Sequence, residues 1–480
     1  MSRTVSSLTA LFLSALLLTA CAAQQVKANP RSMTFPPLTF EIPKSQRIQL
    51  SNGLTLFVME DHELPIVSLT AYVNTGSIYE PAEKCGLAGL TGAVMRSGGT
   101  TDYPPEKLDA DLEFMASAIE ASIGSDVGNV SLTTLTKNLD KTLQMFSQVM
   151  LHPAFREDRV TLAKNRTIEG LRRQNDNPKA VADRELIKTL YAGHPLGRYP
   201  TIETVRNIQR EDLVAFHQRY FHPDRTILAV AGDVKTDDLV KKLEALFAGW
   251  KKSDEPLPTV AAPAAEVPPQ VLFARKEINQ SAIRLGHLGI IKDNPDIYAI
   301  RVMDYILGGG FTSRLTTEIR SNQGLAYSVY SRFDVGRRFI GTFIAETETK
   351  SESTAKAITL MRDIIAGMTR APVSDQELEL AKDSIVNAFI FGFVKPDAVV
   401  NQQARLEYYG YPPGFLENYR SNIAKVTKED VLRVARKYLH PDAMVLSVVG
   451  RDTAFDKPLS TFGRVTEIKL DTAGNGALPK

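Results

Sequence analysis

Apolar residues fall along this chain in three kinds of run, and each kind predicts a different element. Leu8 to Ala20 (LTALFLSALLLTA) is almost unbroken and follows the positive charge of Arg3. It is too short to span a bilayer comfortably and is followed by small residues, which predicts a secretory signal over residues 1–20. Leu54 to Met59 (LTLFVM) and Val67 to Val73 (VSLTAYV) flank the turn-like segment EDHELP and predict a pair of adjacent strands. Leu139 to Leu151 and Asp158 to Gln174 space their apolar residues at helical intervals. Strands and helices are mixed rather than strictly alternating. That pattern predicts an α+β protein, with mostly antiparallel sheets backed by helices.

The pattern also repeats. Glu211-Asp212-Leu213 opens a helical stretch that runs into Tyr220-Phe221-His222-Pro223-Asp224 and then the apolar run Thr226 to Gly232. Glu429-Asp430-Val431 opens another, running into Tyr438-Leu439-His440-Pro441-Asp442 and the apolar run Met444 to Gly450. Corresponding residues stand 218 apart without a gap, as His222 and His440 do. The halves read as duplicates, each with a capped helix, a His-Pro-Asp turn and a buried strand. Between them residues 251–270 (KKSDEPLPTVAAPAAEVPPQ) carry five prolines and predict a semi-rigid linker. Two homologous domains are expected over 36–250 and 271–465, with a tether over 21–35 and a poorly ordered tail over 466–480.

Composition narrows the function classes. With 43% hydrophobic and 23% charged residues, the chain can build large cores. A net charge of +2 without any Lys/Arg-rich run argues against nucleic acid as a partner. Cys21 and Cys85 are the only cysteines. Cys85, beside Gly86 and with no histidine near it in sequence, reads as structural. Of the seven histidines, His217 and His222 lie closest together, at the repeated helix-to-turn junction. A capping or packing role is expected of them, shared between His222 and His440.

Leu18-Thr19-Ala20-Cys21 resembles the lipobox of bacterial lipoproteins. The resemblance implies lipidation of Cys21 and an anchor of two acyl chains, which holds where one would not. Ala22 in place of Asp favours the outer membrane, so a periplasmic, lipid-anchored protein is expected.

Ser51-Asn52-Gly53-Leu54-Thr55, Gly76-Ser77 and Cys85-Gly86-Leu87-Ala88 resemble the opening of the pitrilysin family of zinc peptidases, which includes insulin-degrading enzyme and the mitochondrial processing peptidase. The second half agrees through Gly308-Gly309-Gly310-Phe-Thr-Ser-Arg314-Leu315, Glu318-Ile-Arg320 and Gly324-Leu-Ala-Tyr327-Ser-Val-Tyr330. In active members the next five residues are His-x-x-Glu-His, two imidazoles one helical turn apart on zinc with the glutamate as general base. Here they read Gly89-Leu90-Thr91-Gly92-Ala93. The third ligand, a glutamate on a later helix, falls on Gly170, with Glu169 one step away. A catalytic zinc needs about three protein ligands. The degenerate positions Gly89, Gly92, Ala93 and Gly170 supply none, so no metal or other cofactor is expected on this chain.

The resemblance implies two further things. The halves enclose a chamber, and Arg320 with Tyr327 binds substrate backbone there and stabilises the oxyanion on a facing zinc site. Gly308 to Gly310 lack the Gly-x-x-x-x-Gly-Lys-Ser/Thr pattern of a phosphate loop and read as a flexible turn, either a peptide contact or a helix entry. Together these features imply a non-catalytic subunit of a heterodimeric zinc metallopeptidase. Its partner would be a homologous chain that carries the zinc motif and the zinc, and its substrates peptides or small unfolded polypeptides. The alternative is a peptide-binding or scaffold protein with no proteolytic role.

Overall fold

The structure is a computed structural model that describes residues 40–470. The signal segment 1–20, the tether 21–35 with Cys21 and residues 471–480 lie outside the described residues.

The duplication seen in sequence is a duplication of sheets. The first half contributes β1 (Gln46–Gln49), β2 (Thr55–Glu60), β3 (Ile66–Val73), β4 (Ala118–Ile123), β5 (Gly128–Leu135) and β6 (Thr226–Gly232). The second contributes β7 (Val271–Arg275), β8 (Gln280–Leu288), β9 (Ile290–Ile291), β10 (Val329–Phe333), β11 (Val335–Gly336), β12 (Thr342–Lys350), β13 (Val445–Gly450) and β14 (Val465–Glu467). The first sheet has the order β1-β2-β6-β3-β5-β4 and the second β10-β12-β8-β13-β7-β14, with β9 and β11 paired separately. Read from its other edge, the second order matches the first in five strands, β7, β13, β8, β12 and β10 standing for β2, β6, β3, β5 and β4. The edge strands differ: β1 precedes β2 and runs antiparallel to it, whereas β14 follows β13 and runs parallel to β7. The repeated apolar runs β6 and β13 occupy the same place, each parallel to the strand on one side and antiparallel to that on the other. Both sheets are mixed and mostly antiparallel, with helices packed on them.

Two expectations change. β2 and β3 are not paired, because β6 inserts between them and bonds to both. The segment EDHELP therefore spans a whole strand. The expected tail begins as structure, since β14 extends the sheet beside β7 and Ile468 donates its N–H to the Phe273 carbonyl at 2.7 Å. Ile468 and Leu470 also pack on apolar clusters, which is what holds this end. Residues 251–270 form neither helix nor strand.

Strands β6 and β13 read as continuous apolar runs because both of their faces are buried. One face packs on the half's own helices: Leu228 and Val230 in the first core, Leu446 and Val448 in the second. The other face receives a helix from the opposite half. Pro396–Tyr408 lays Val400 and Ala404 on Phe57, Ala229 and Ala231 of the first sheet. Its counterpart Pro178–Leu190, also opened by a proline at the first turn, lays Val181, Ala182 and Leu186 on the second sheet. Asp183 of this helix meets the buried Arg284 guanidinium at 2.7 Å, where Glu346 and Glu348 also reach it. On the other crossing the Tyr72 hydroxyl donates to Asn401 at 2.9 Å. Each half thus completes the other, and from Ile42 onward they form one compact unit.

Candidate functional site

Helix Leu87–Ser97 carries the positions where the resembling peptidases hold their first ligands. It starts because Gly86 takes the left-handed conformation, at φ 105°. The buried Glu80 carboxylate then accepts the otherwise unpaired N–H groups of Gly86 and Ala88, both at 2.9 Å. Leu87, Ala88, Leu90, Thr91, Val94 and Met95 face the core, which leaves Gly89 and Ala93 together on the exposed face, one turn apart.

Beside it packs helix Glu157–Arg172, on which Gly170 is exposed. A Cβ added at Gly89 or Gly170 would meet nothing within 4 Å. Glu169 points to solvent and pairs with Arg172. Gly92 differs from its neighbours, because a Cβ there would lie 2.5 Å from the Ile123 nitrogen and 2.8 Å from the Ser122 carbon of β4. The ligand positions are open but have no donor atoms, and the position of the base is filled by a strand backbone. This donor set does not fit zinc. Among the described residues no group of three or more His, Cys, Asp and Glu could hold a metal ion.

Cys85, just before this helix, is buried, and burial with the neighbouring Glu80 carboxylate pushes its thiol up to about 12. It is an inert packing residue at neutral pH. His217 is buried as well. Its Nε2–H donates to the Met150 carbonyl at 2.9 Å, its ring stacks on Phe221 at 4.6 Å, and burial holds its pKa down to about 4. His222 and His440 do not share one role. His222 meets the Lys251 carbonyl at 3.1 Å through Nδ1, whereas the ring of His440 packs on buried His287 at 4.9 Å. The His287–His440 contact joins residues 153 apart and leaves no trace in the sequence.

The second half brings Arg320 and Tyr327 together. Arg320 lies in the wide-wound helix Thr316–Asn322, and Tyr327 lies two residues before β10 rather than at its start. The guanidinium carbon sits 4.8 Å from the Tyr327 ring centre and 5.1 Å from that of Phe311. Both rings are open to solvent, Tyr327 at 85% and Phe311 at 76% exposure. Glu318, the nearest acid in sequence, is engaged by Asn322 and Gln323 at 2.8 and 2.9 Å. Among the described residues Arg320 has no carboxylate within ion-pair range. Two rings lie at cation–ring distance from the guanidinium, and among the described residues no acceptor engages its N–H groups.

The support around this trio is fixed. Arg314 grips Glu377 through two hydrogen bonds of 2.7 and 3.1 Å, and the Thr316 hydroxyl donates to the Val329 carbonyl at 3.2 Å. Sequence reasoning missed Phe311, although it directly follows the glycine run and is mostly exposed.

The glycines themselves lie mostly inside. Gly308 and Gly309 end the wide-wound turn Tyr305–Gly309. A Cβ at Gly308 would lie 2.3 Å from the Ser331 nitrogen, and one at Gly310 would lie 2.7 Å from the Tyr305 ring. Gly308 allows β10 to approach this turn, where the buried Asp304 accepts from the Ser331 hydroxyl at 2.9 Å and the Phe333 N–H at 3.0 Å. Gly309 alone is exposed. The run is therefore a packing device, and only Gly309 offers a surface to a peptide.

Comparison with known proteins agrees with this geometry. The family described as "Insulinase (Peptidase family M16)" matches residues 56–204, and that described as "Peptidase M16 inactive domain" matches residues 207–385. A Bacillus subtilis relative described as the uncharacterized zinc protease YmxG is 23% identical over 83% of this chain and 96% of its own length. A Helicobacter pylori relative described as the non-peptidase homolog YmxG is 23% identical over 81% of this chain and 90% of its own. Among solved structures, a peptidase M16 inactive domain from Pseudomonas fluorescens superposes with a TM-score of 0.78 at 26% identity, over 86% of this chain and all of that one. By its duplicated sheets, its motifs and these matches, the chain belongs to the insulinase (M16) peptidase family, as a member with no zinc-donor side chain at Gly89, Ala93 and Gly170.

Proposed function

We propose that this chain is the non-catalytic subunit of a heterodimeric periplasmic zinc metallopeptidase. It completes a peptide-binding chamber and lends Arg320 and Tyr327 to a homologous partner chain that carries the zinc motif. The observation that carries this reading is the pairing of a donor-free ligand face with an unpaired, ring-held arginine. A guanidinium held against two exposed rings, with no carboxylate on it, is suited to meet negative charge that develops on a substrate. The N-terminal signal and Cys21 support export and a lipid anchor in the outer membrane, which bring it to extended peptides and small unfolded polypeptides.

The test is peptide hydrolysis by the purified chain from residue 22 onward, alone and mixed with a relative from the same cell that carries His-x-x-Glu-His, with zinc measured in each sample. The chain alone is expected to bind no zinc and cleave nothing, and the mixture to cleave faster than the relative alone. If the two chains neither associate nor gain activity, the shared-chamber reading falls and a peptide-binding or scaffold role takes its place.

A further inference from the structure

A cavity of about 570 Å³ lies among the helices of the second half, away from the Arg320 cluster. Its chemistry is lopsided. Arg301, Arg337 and Arg405 line it, and none of its lining residues is acidic. Among the described residues none of these three arginines forms an ion pair with a carboxylate. Elsewhere in the fold Arg284 and Arg314 each meet a carboxylate. Three arginines along one hollow make it electropositive, although Arg301 also interacts with the buried Asp304 carboxylate. The site is also preorganised. Arg337 lies over the Tyr409 ring at 4.8 Å, and Tyr419 stacks on Phe389 at 4.7 Å. The remaining wall is mostly apolar or aromatic, with Gln402 as a further polar side chain, while the amide of Asn401 is engaged by the Asp397 carbonyl and the Tyr72 hydroxyl.

We propose that this cavity is a binding site for a small anion with an apolar ring, an aralkyl carboxylate or an aryl phosphate. The volume is that of a small-ligand pocket. Forked guanidiniums suit either acid group, and the aromatic wall suits the ring. The inference stands independently of the proposed peptidase role.

The position of the cavity gives binding a second consequence. Ala398, Asn401, Gln402, Arg405 and Tyr409 present one face of the crossing helix Pro396–Tyr408 and its end to the cavity, while Val400, Ala404 and Tyr408 lie on the first sheet or against it. Next to Arg337, Arg338 donates to Asn74 of the first half at 2.9 Å. A bound anion therefore braces elements that join the two halves and raises thermal stability.

Calorimetric titration and thermal melting of the purified chain test this with five probes: phenyl phosphate, N-acetylphenylalanine, its neutral amide, benzyl alcohol and inorganic phosphate. At least one of the two ring-bearing anions is expected to bind ten-fold more tightly than the neutral amide and benzyl alcohol, and to raise Tm. Inorganic phosphate should bind more weakly than phenyl phosphate. The double variant Arg301→Gln/Arg405→Gln should lose the binding ten-fold or more while melting within a few degrees of the parent. If phenyl phosphate is the tighter anion, the ligand is a phosphate ester, and if N-acetylphenylalanine is, the ligand is a carboxylate. Anions that bind no better than the neutral probes would overturn the proposal, as would a double variant that binds like the parent. Equal binding of inorganic and phenyl phosphate would overturn the assignment of the ring.

Discussion

The two halves share a plan, yet their functional faces have diverged in opposite directions. On helices Leu87–Ser97 and Glu157–Arg172, the exposed positions that align with metal ligands hold glycine or alanine, and Gly92 is pressed against β4. Between Phe311 and Tyr327 a guanidinium is held between two exposed rings, and the Arg314–Glu377 pair fixes the segment beneath it. On the proposed reading, relaxation has left one face with no donor side chain at those positions. The other face keeps a specific polar group whose carboxylate neighbours are engaged elsewhere. Relaxation and retention side by side are expected of a subunit that serves chemistry located on another chain.

The largest test of that contrast is Arg320→Ala. In the active mixture it should lower kcat/KM by roughly 100- to 1,000-fold, the usual loss for one preorganised donor to an oxyanion. Melting of the chain should hardly move, because an exposed cation–ring contact contributes only about 0.5–1 kcal/mol. Tyr327→Phe, which keeps the ring and removes the hydroxyl, should cost less. If activity of the mixture is unaffected by Arg320→Ala, retention on the second face has no catalytic meaning, and the contrast between the halves collapses to packing.

Acid probes the halves through their cores. His217 in the first and His287 in the second are buried, and burial holds both pKa values down to about 4. Unfolding restores a value near 6.5, so between roughly pH 6.5 and 4 the unfolded chain binds protons that the folded chain refuses. Stability from these groups is therefore complete above about pH 6.5 and is lost as pH falls toward 4, by roughly 3 kcal/mol at most for each imidazole. Denaturant titrations at pH 7.5 and 4.5 measure the fall. His217→Phe should flatten it whatever the variant's stability at pH 7.5. A slope that this variant leaves unchanged would show that His217 titrates normally in the folded chain.

Much of this architecture was legible in the sequence because it follows from local pattern. The repeat of helix, His-Pro-Asp turn and apolar strand located β6 and β13, and helix Leu139–Leu151 matches its apolar spacing residue for residue. What was not legible depends on contacts between distant segments. The adjacency of β2 and β6 links residues about 170 apart in sequence, so nothing near EDHELP revealed that a strand lies between its ends. The exchange of helices Pro178–Leu190 and Pro396–Tyr408 was equally hidden, because their helical patterning does not say whose sheet they cover. Arg320 and Tyr327 were legible as a motif, while Phe311 entered the site only through folding.

Gly92→Ala sharpens the first face. Even a methyl group would sit 2.5 Å from the backbone of β4, so helix or strand must shift. The expected loss is about 1–3 kcal/mol, measured as a lower denaturant midpoint with an unchanged m-value. The triple variant Gly89→His/Ala93→His/Gly170→Glu, which leaves Gly92 alone, should fold like the parent, since those positions face open space. Added Gly92→Glu should then destabilise it, and so the position of the base, more than the ligands, resists restoration of the motif. A Gly92→Ala protein as stable as the parent would mean that β4 gives way readily.

The smallest effect discriminates most finely between a face that is merely empty and one that is used. Gly89 lies in the first turn and Gly170 in the last turn of their helices, both exposed and with open space where a Cβ would go. In a helix interior, glycine is less favourable than alanine by roughly 0.5–1 kcal/mol per site. If nothing needs to approach these positions, Gly89→Ala and Gly170→Ala should each stabilise the chain by up to that amount and leave the mixture as active as before. A gain in stability with unchanged activity marks the face as free of function. The same gain with loss of activity would mean that a substrate or partner backbone approaches within a methyl's width of Gly89 or Gly170, and the first half would then contribute to binding through the absence of its side chains.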